Sequence, residues 1–424
     1  MNSNIKKFDS KEAFDAYRAT DGRGYPSVNY ITNNEESSIH YNKEFIMEWN
    51  DSDLVKTPSF YGDLSYDEFK DKIDNLSTPC EIKKDGTDYS VLYMDGNTVS
   101  DYSKRTSTVN SHYNTEDKTD YLQMARIKNV NVGLFKDTVK GTKQVRFNFD
   151  EGCPAGFHKW FPNSTTGYKL FGRYDIMPNS TAGVDCCYGQ DQTGDFTWSA
   201  NTILSRIKAT GNGKFLAETY WEHLVMSYLF CAYHKTFNTQ DIYQGISTGN
   251  ESAARSYSNG SVDPTVKTHD GGVSVTGGVA YKFLHLENPL HGKQWIWGAG
   301  MRGVVSTSSG KYYLTFDDNV ANEAATLPFD KADITGTFVA GSSPRIENIT
   351  IDNIDLMGMP ITKATGTSYG FQDAIWAYNE ANDRVAYLGG TSNAGVADGA
   401  FARGFNGDAG YSFWDRRGRI TMNE

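Results

Sequence analysis

The side chains best suited to touching a ligand gather near the end of this sequence. Residues 391–414 read Thr-Ser-Asn-Ala-Gly-Val-Ala-Asp-Gly-Ala-Phe-Ala-Arg-Gly-Phe-Asn-Gly-Asp-Ala-Gly-Tyr-Ser-Phe-Trp. Rigid aromatic rings give contact area at little entropic cost, and Ser, Asn and Gly give adaptable hydrogen bonds, the chemistry of antibody paratopes. Aromatic faces also stack on sugar C–H groups. The stretch therefore predicts a ligand-binding face made by Asn393, Asp398, Phe405, Asn406, Asp408, Tyr411 and Trp414. Asn393, Asp398, Asn406, Asp408 and Tyr411 are expected at the surface. Phe401, Phe413 and Trp414 suit a core equally well. Arg416, Arg417 and Arg419 follow directly and are read as ion-pair anchors for a closing strand.

Other constellations offer less. Glu222 and His223 are adjacent on a helical stretch, which suggests acid–base work, but Glu222 also suits a helix-anchoring hydrogen bond. The eight histidines have no metal-ligand spacing, so neither a metal nor a cofactor is expected. Asp317-Asp318-Asn319 reads first as a turn. With Asp352 and Asp355 it could supply the carboxylate pair of a glycan-cleaving enzyme, but nothing in the sequence sets the two opposite each other. Gly298-Ala-Gly-Met-Arg-Gly303 lacks the helix that a dinucleotide fingerprint must open.

The elements that must position these groups are mixed. Ser65-Tyr-Asp-Glu68 is a capping box, with Phe69, Ile73 and Leu76 at helical spacing behind it. Lys84-Asp-Gly86 marks a hairpin between Glu81–Lys83 and Tyr89–Tyr93, and Asn33–Glu36 marks another between Val28–Tyr30 and Ile39–Tyr41. Strands are expected at Val145–Phe149 and Lys169–Ile176. Ser199–Ala209 and Leu216–Tyr233 read as helices, the second with apolar residues at i, i+3, i+4 and i+7. From Gly271 the pattern turns to strands, including Val273–Leu284, Trp295–Trp297 and Tyr312–Phe316. The polar run near 100–120 predicts a linker, and Ser247–Ser261 an exposed loop.

With 424 residues the chain is long enough for two or three domains. Aromatics at 13% exclude a disordered composition. No apolar run reaches the ~18 residues of a membrane span, and the first residues carry no secretory h-region. A net charge of −11 argues against binding a nucleic-acid backbone. Five cysteines, two of them adjacent at 186 and 187, suit reduced thiols rather than a disulfide framework.

Two segments resemble the C-type-lectin-like fold, in the branch shared by formylglycine-generating enzymes and phage receptor-binding proteins. Phe196-Thr-Trp-Ser-Ala-Asn-Thr-Ile-Leu-Ser-Arg206 is similar to its tryptophan-led first helix, and Gly213-Lys-Phe-Leu-Ala-Glu-Thr-Tyr-Trp-Glu222 to the start of its second. Arg384–Gly390, Phe401–Arg403 and Phe413–Ile420 resemble its C-terminal run, and Trp295–Gly300 its W-I-G element. Gly389 and Gly390 would turn the backbone where side chains collide. The blocks Trp221–Gln240 and Leu388–Phe401, and the opening Tyr25–Asn42, resemble tail or head fibre proteins of phages of gut Bacteroides (crAss-like).

The resemblance implies an α+β chain: a small mixed α/β N-terminal region over 1–120, for virion attachment and oligomerisation, then a C-type-lectin-like domain over 121–424. That domain would have a twisted antiparallel sheet, two helices packed on one side of it, and inserted loops at about 247–270. The implied protein is a virion fibre made in the host cytoplasm. It would be a homotrimer joined to other virion structural proteins, binding a host-surface glycan or protein, with no nucleic-acid partner and no membrane insertion. Catalysis by the formylglycine-generating route needs a C-terminal cysteine pair, and no cysteine follows Cys231. The alternatives are a glycan-degrading or formylglycine-generating-like enzyme and a purely structural head or tail decoration. Trp49-Asn50-Asp51 matches the calcium tripeptide of sugar-binding lectins but lies far from the lectin-like segments, and calcium needs six to eight converging oxygens.

Overall fold

The computed structural model describes residues 44–53, 55–85, 88–93, 121–178, 183–186, 198–211, 213–243, 245, 269–275, 278–291, 294–305, 310–314, 330–334, 346–349, 360–363, 371, 373–377, 384–390, 398–408, 410–412 and 416–424. The hairpin expected at 28–41, the linker near 100–120, the Ser247–Ser261 loop and the acidic groups at 317–319 and 352–355 lie outside them. The fold is α+β, with antiparallel sheets predominating. No helix among the described residues is long and apolar enough to cross a membrane.

Four helices are described: α1 (Tyr66–Asp74), α2 (Ala200–Thr210), α3 (Tyr220–His234) and α4 (Thr239–Ile242). The Ser65–Glu68 capping box forms as the sequence predicts. Thr219 and Glu222 form a second box that starts α3, and Ser199 caps α2. Each reciprocal cap satisfies amide protons that the first helical turn leaves without partners. Lys235, left-handed at φ 58°, ends α3.

One five-stranded sheet runs Ser59–Gly62, Glu44–Asn50, Thr142–Asn148, Asn131–Asp137, His158–Lys159. Strand alternation sends Phe45, Met47, Trp49, Val145 and Phe147 to its inner face. There α1 lays Phe69 on Phe45, with ring centroids 4.0 Å apart.

A six-stranded sheet runs Leu216–Ala217, Ile420–Asn423, Tyr168–Gly172, Tyr121–Lys128, Ser77–Asp85, Asp88–Tyr93. Its C-terminal strand is thus internal, joined to Leu216–Ala217 on one side and Tyr168–Gly172 on the other. Both faces of its central strands are buried. Ala125, Ile127 and Phe171 join the cluster built around α3, while Leu122, Met124 and Leu170 join the one that holds α2. The two helices therefore serve separate cores, which corrects the expectation that they share one side of a sheet. α3 is buried around its whole circumference from Tyr220 to Ala232, because the five-stranded sheet, the Gly278–Phe283 hairpin strand and Trp295–Val305 all contribute to its surroundings. Full burial of each large side chain there contributes roughly 1.5–3 kcal/mol.

The boundary expected at residue 120 does not separate two folded units. Ser77–Lys83 pairs residue by residue with Tyr121–Ile127, and Glu44–Asn50 with Thr142–Asn148. The described residues of 44–93 and those after 120 thus share two sheets.

The strands around the predicted binding stretch belong to a third sheet, ordered Asp330–Ile334, Gly310–Leu314, Trp295–Val305, Arg384–Leu388, Arg403–Phe405, Ile375–Ala377. Arg416–Arg417 adds to it in parallel, beside Trp295 and Ile296. Gly298–Gly303 lies inside the strand Trp295–Val305, a setting without the helix of a nucleotide site. Cys153, Cys186 and Cys231 are free thiols.

Candidate functional site

Among the described residues, the carboxylate and imidazole groups at the start of α3 are sealed in. Glu222 caps α3 and pairs with Lys169, both buried, which is the anchoring role its position suggested. His223 Nδ1 lies 3.2 Å from Glu218 Oε1. Arg419 lies between Glu218 and Asp175, at 3.4 and 3.3 Å, and donates to Gly172 O at 2.6 Å. Burial raises the Glu218 carboxyl to about 7 against the pull of Arg419. Burial, with Arg403 and Arg419, holds His223 well below the usual imidazole range. None of these side chains reaches the surface, so they brace the fold. Arg419 is the ion-pair anchor the sequence predicts for the closing strand. Asp51, of the lectin-like tripeptide, pairs with Lys143 at 2.8 Å, and Trp49 is core.

The Gly389–Gly390 turn is built as expected. Both glycines sit at φ 84°. A side chain on Gly389 would strike the Leu290 carbonyl, and one on Gly390 would strike the Asp398 carboxylate. Asp398 is therefore not a surface group: it is fully buried against that turn. Its neighbour Gly399 sits on Asp373, which accepts from Phe401 N at 2.7 Å. Phe405 is also corrected. Its strand is internal to the sheet, between Arg384–Leu388 and Ile375–Ala377, and its ring is fully buried in the core.

Three of the predicted contacts come together at one surface corner. Gly407 O accepts from Val385 N at 3.1 Å, which fixes the start of a turn to the strand Arg384–Leu388. Asp408 then closes it: its Oδ1 accepts from Gly410 N at 2.9 Å and its carbonyl from Tyr411 N at 3.0 Å. Asp side chains favour such turns because they replace a backbone acceptor locally. Gly407 must lack a side chain, since a Cβ there would press on Tyr411 and on the Tyr387 hydroxyl. Asn406 is half-buried and Asp408 is exposed. Tyr411, at 41% exposure, is one of three large hydrophobic side chains open to water among the described residues, with Val55 and Val139. Asn393 and Trp414 lie outside the described residues.

Sequence reasoning missed what lies behind that ring. The Arg416 guanidinium sits 4.2 Å from the Tyr387 ring centroid and 5.6 Å from that of Tyr411. Its Nη2 donates to Asn406 Oδ1 at 3.4 Å. Arg384 Nη1 lies 3.8 Å from Asp408 Oδ2. Arg416 and Tyr387 come from strands that both pair with Trp295–Val305, a juxtaposition that no local pattern reveals. Only the position of Arg416 next to the aromatic stretch hinted at a role. The corner thus offers a flat ring, an open carboxylate and a half-open amide, held from beneath by a cation–π layer.

No protein-family model matches this chain, and no curated protein matches it.

Proposed function

We propose that this chain is an attachment protein of a phage virion, a head or tail fibre subunit that binds a host-surface glycan or protein through its Asn406–Tyr411 turn. One observation carries the binding reading: Tyr411 is an open aromatic ring on a turn fixed by its own hydrogen bonds, with Arg416 behind it. A ring held in place loses little entropy when a ligand settles on it. The acid–base groups described above are buried, which favours binding over catalysis. The phage assignment and the finer lectin-like fold rest on motif order in the sequence. On this reading the chain is a homotrimer joined to other virion proteins, and trimers multiply weak contacts.

Purified chain, fluorescently labelled, is incubated with Bacteroides cells, and its mass is measured by light scattering. The expected result is a trimer whose adsorption is lost in the Tyr411→Ala/Asn406→Ala double variant. Adsorption indifferent to that change sinks the site. A trimer that binds no cells would instead mark a structural decoration.

A further inference from the structure

We infer that the ligand of this turn is an uncharged pyranoside rather than an acidic sugar, an inference that rests on the binding reading above. The argument is the distribution of charge with depth. Asp408 is the open charge of the corner among the described residues, its side chain 62% exposed. The cations lie behind it. Arg416 is 3% exposed and spends its guanidinium on two tyrosine rings and Asn406 Oδ1. The Arg384 side chain is 14% exposed and faces Asp408.

Acidic sugars are recognised by arginine forks or other cations that meet the carboxylate in its plane. Here Arg416 is buried and Arg384 is already set against Asp408. A carboxylate accepts hydrogen bonds but cannot donate them, so the acceptor capacity that Gly410 N and Arg384 leave open on Asp408 suits a ligand that brings O–H groups. A sugar hydroxyl supplies them, whereas a uronate or sialate carboxylate would meet Asp408 as a like charge. The Tyr411 ring supplies the complementary feature, a flat apolar surface for the C–H face of a hexose. Asn406, half-buried with an amide N–H group to donate, and the exposed Ser412, next in sequence to Tyr411, add polar groups to the corner.

The full chain is applied to an array of neutral hexose and N-acetylhexosamine oligosaccharides, beside uronate- and sialate-terminated ones. The best neutral ligand is then titrated against its C6-carboxylate counterpart at 0.15 M salt. The expected result is neutral binding that Tyr411→Ala abolishes, with the uronate bound at least about fivefold more weakly, as like-charge exclusion predicts. Asp408→Asn, whose Oδ1 still accepts from Gly410, should bring the two within about twofold. A uronate bound as well as the neutral sugar overturns the inference, and so does an array on which nothing binds. Cell adsorption separates these failures from the parent reading. If adsorption still depends on Tyr411 the turn remains a binding site for another ligand, and if it does not, that reading falls as well.

Discussion

Acid should unfold this protein through the histidines that line α3. His291 donates from Nε2 to Tyr243 O at 2.7 Å. The Tyr281 hydroxyl oxygen accepts from Leu290 N and His291 N, so its proton is left to point at His291 Nδ1, 3.3 Å away. His269 Nδ1 likewise accepts from Leu284 N. His234 packs on Phe230, centroids 4.4 Å apart. A second proton on His291 or His269 breaks a bond already made, and on all three it places a charge among aromatic rings. Burial, the largest cause, lowers His234 and His291 to about 4 and His269 to about 3. Asp74 Oδ1, 3.0 Å from His269 Nε2, pulls the other way, but its side chain is 42% exposed and burial prevails.

These are lowered pKa values, so the stabilisation is complete above the unfolded value near 6.5 and is lost as pH falls towards the folded values. Each histidine costs about 1.4 kcal/mol per pH unit in that window. At pH 5 the three together remove roughly 5–6 kcal/mol relative to pH 7. Glu218 runs in the opposite sense. Its pKa is raised to about 7, so its contribution is complete below the unfolded value and lost as pH rises through 7. Acidification to pH 5 returns roughly 2 kcal/mol from it. For these four groups the balance is a loss of about 3–4 kcal/mol, to which the lowered His223 adds in the same sense, against the ~5–15 kcal/mol that holds a domain folded. Urea midpoints followed by tryptophan fluorescence at pH 7, 6 and 5, at constant ionic strength, measure it directly. His234→Phe keeps the ring contact and should reduce the pH slope by about one proton. Equal midpoints at pH 7 and 5, or a slope unchanged in His234→Phe, would refute the reasoning.

Three further outcomes are expected. Gly389→Ala places a Cβ against the Leu290 carbonyl at φ 84° and should cost about 2 kcal/mol or more, seen as a lower urea midpoint. Glu222→Gln can still cap α3, but it leaves the Lys169 ammonium buried without its carboxylate, and calorimetry should register a loss of about 3–5 kcal/mol. Arg126 grips the Glu424 carboxylate at 2.7 and 3.0 Å and stacks on Tyr168 at 3.5 Å. Because that pair is partly open to water, Arg126→Met should cost only about 1 kcal/mol in the same assay.

Local signals were legible in the sequence and long-range ones were not. The capping box at Ser65 and the Gly389–Gly390 turn each depend on residues within a few positions of one another, and each forms, whereas Leu216–Ala217, read as the start of a helix, is a strand and α3 begins only at Tyr220 behind its Thr219 cap. The strands Thr142–Asn148, Asp270–Val275 and Gly278–Phe283 follow their apolar alternation. The division at residue 120 failed because it was drawn from a polar run, whereas Ser77–Lys83 finds its partner across that run at Tyr121–Ile127. The separation of α2 and α3 into two cores was equally invisible, since periodicity tells which face is apolar but not what covers it. At the candidate site, Asn406, Asp408 and Tyr411 could be read from composition because they share one turn. Phe405 and Asp398 could not be told from them, because a buried ring and an exposed ring look alike beside glycines. Arg416 behind Tyr411 required the parallel pairing with Trp295.

The internal seat of Ile420–Asn423 has a consequence for how the chain is made. Residues near 170 leave the ribosome about 250 residues before the strand that must lie beside them. Until then Tyr168–Gly172 and Leu216–Ala217 wait as open edges, the state most prone to pair with another chain. Closure of the six-stranded sheet is therefore a late step that joins distant parts of the chain, and such steps are slow. During synthesis the nascent chain should depend on chaperone cover, and yield should fall with rising expression rate well before the finished protein shows any lack of stability.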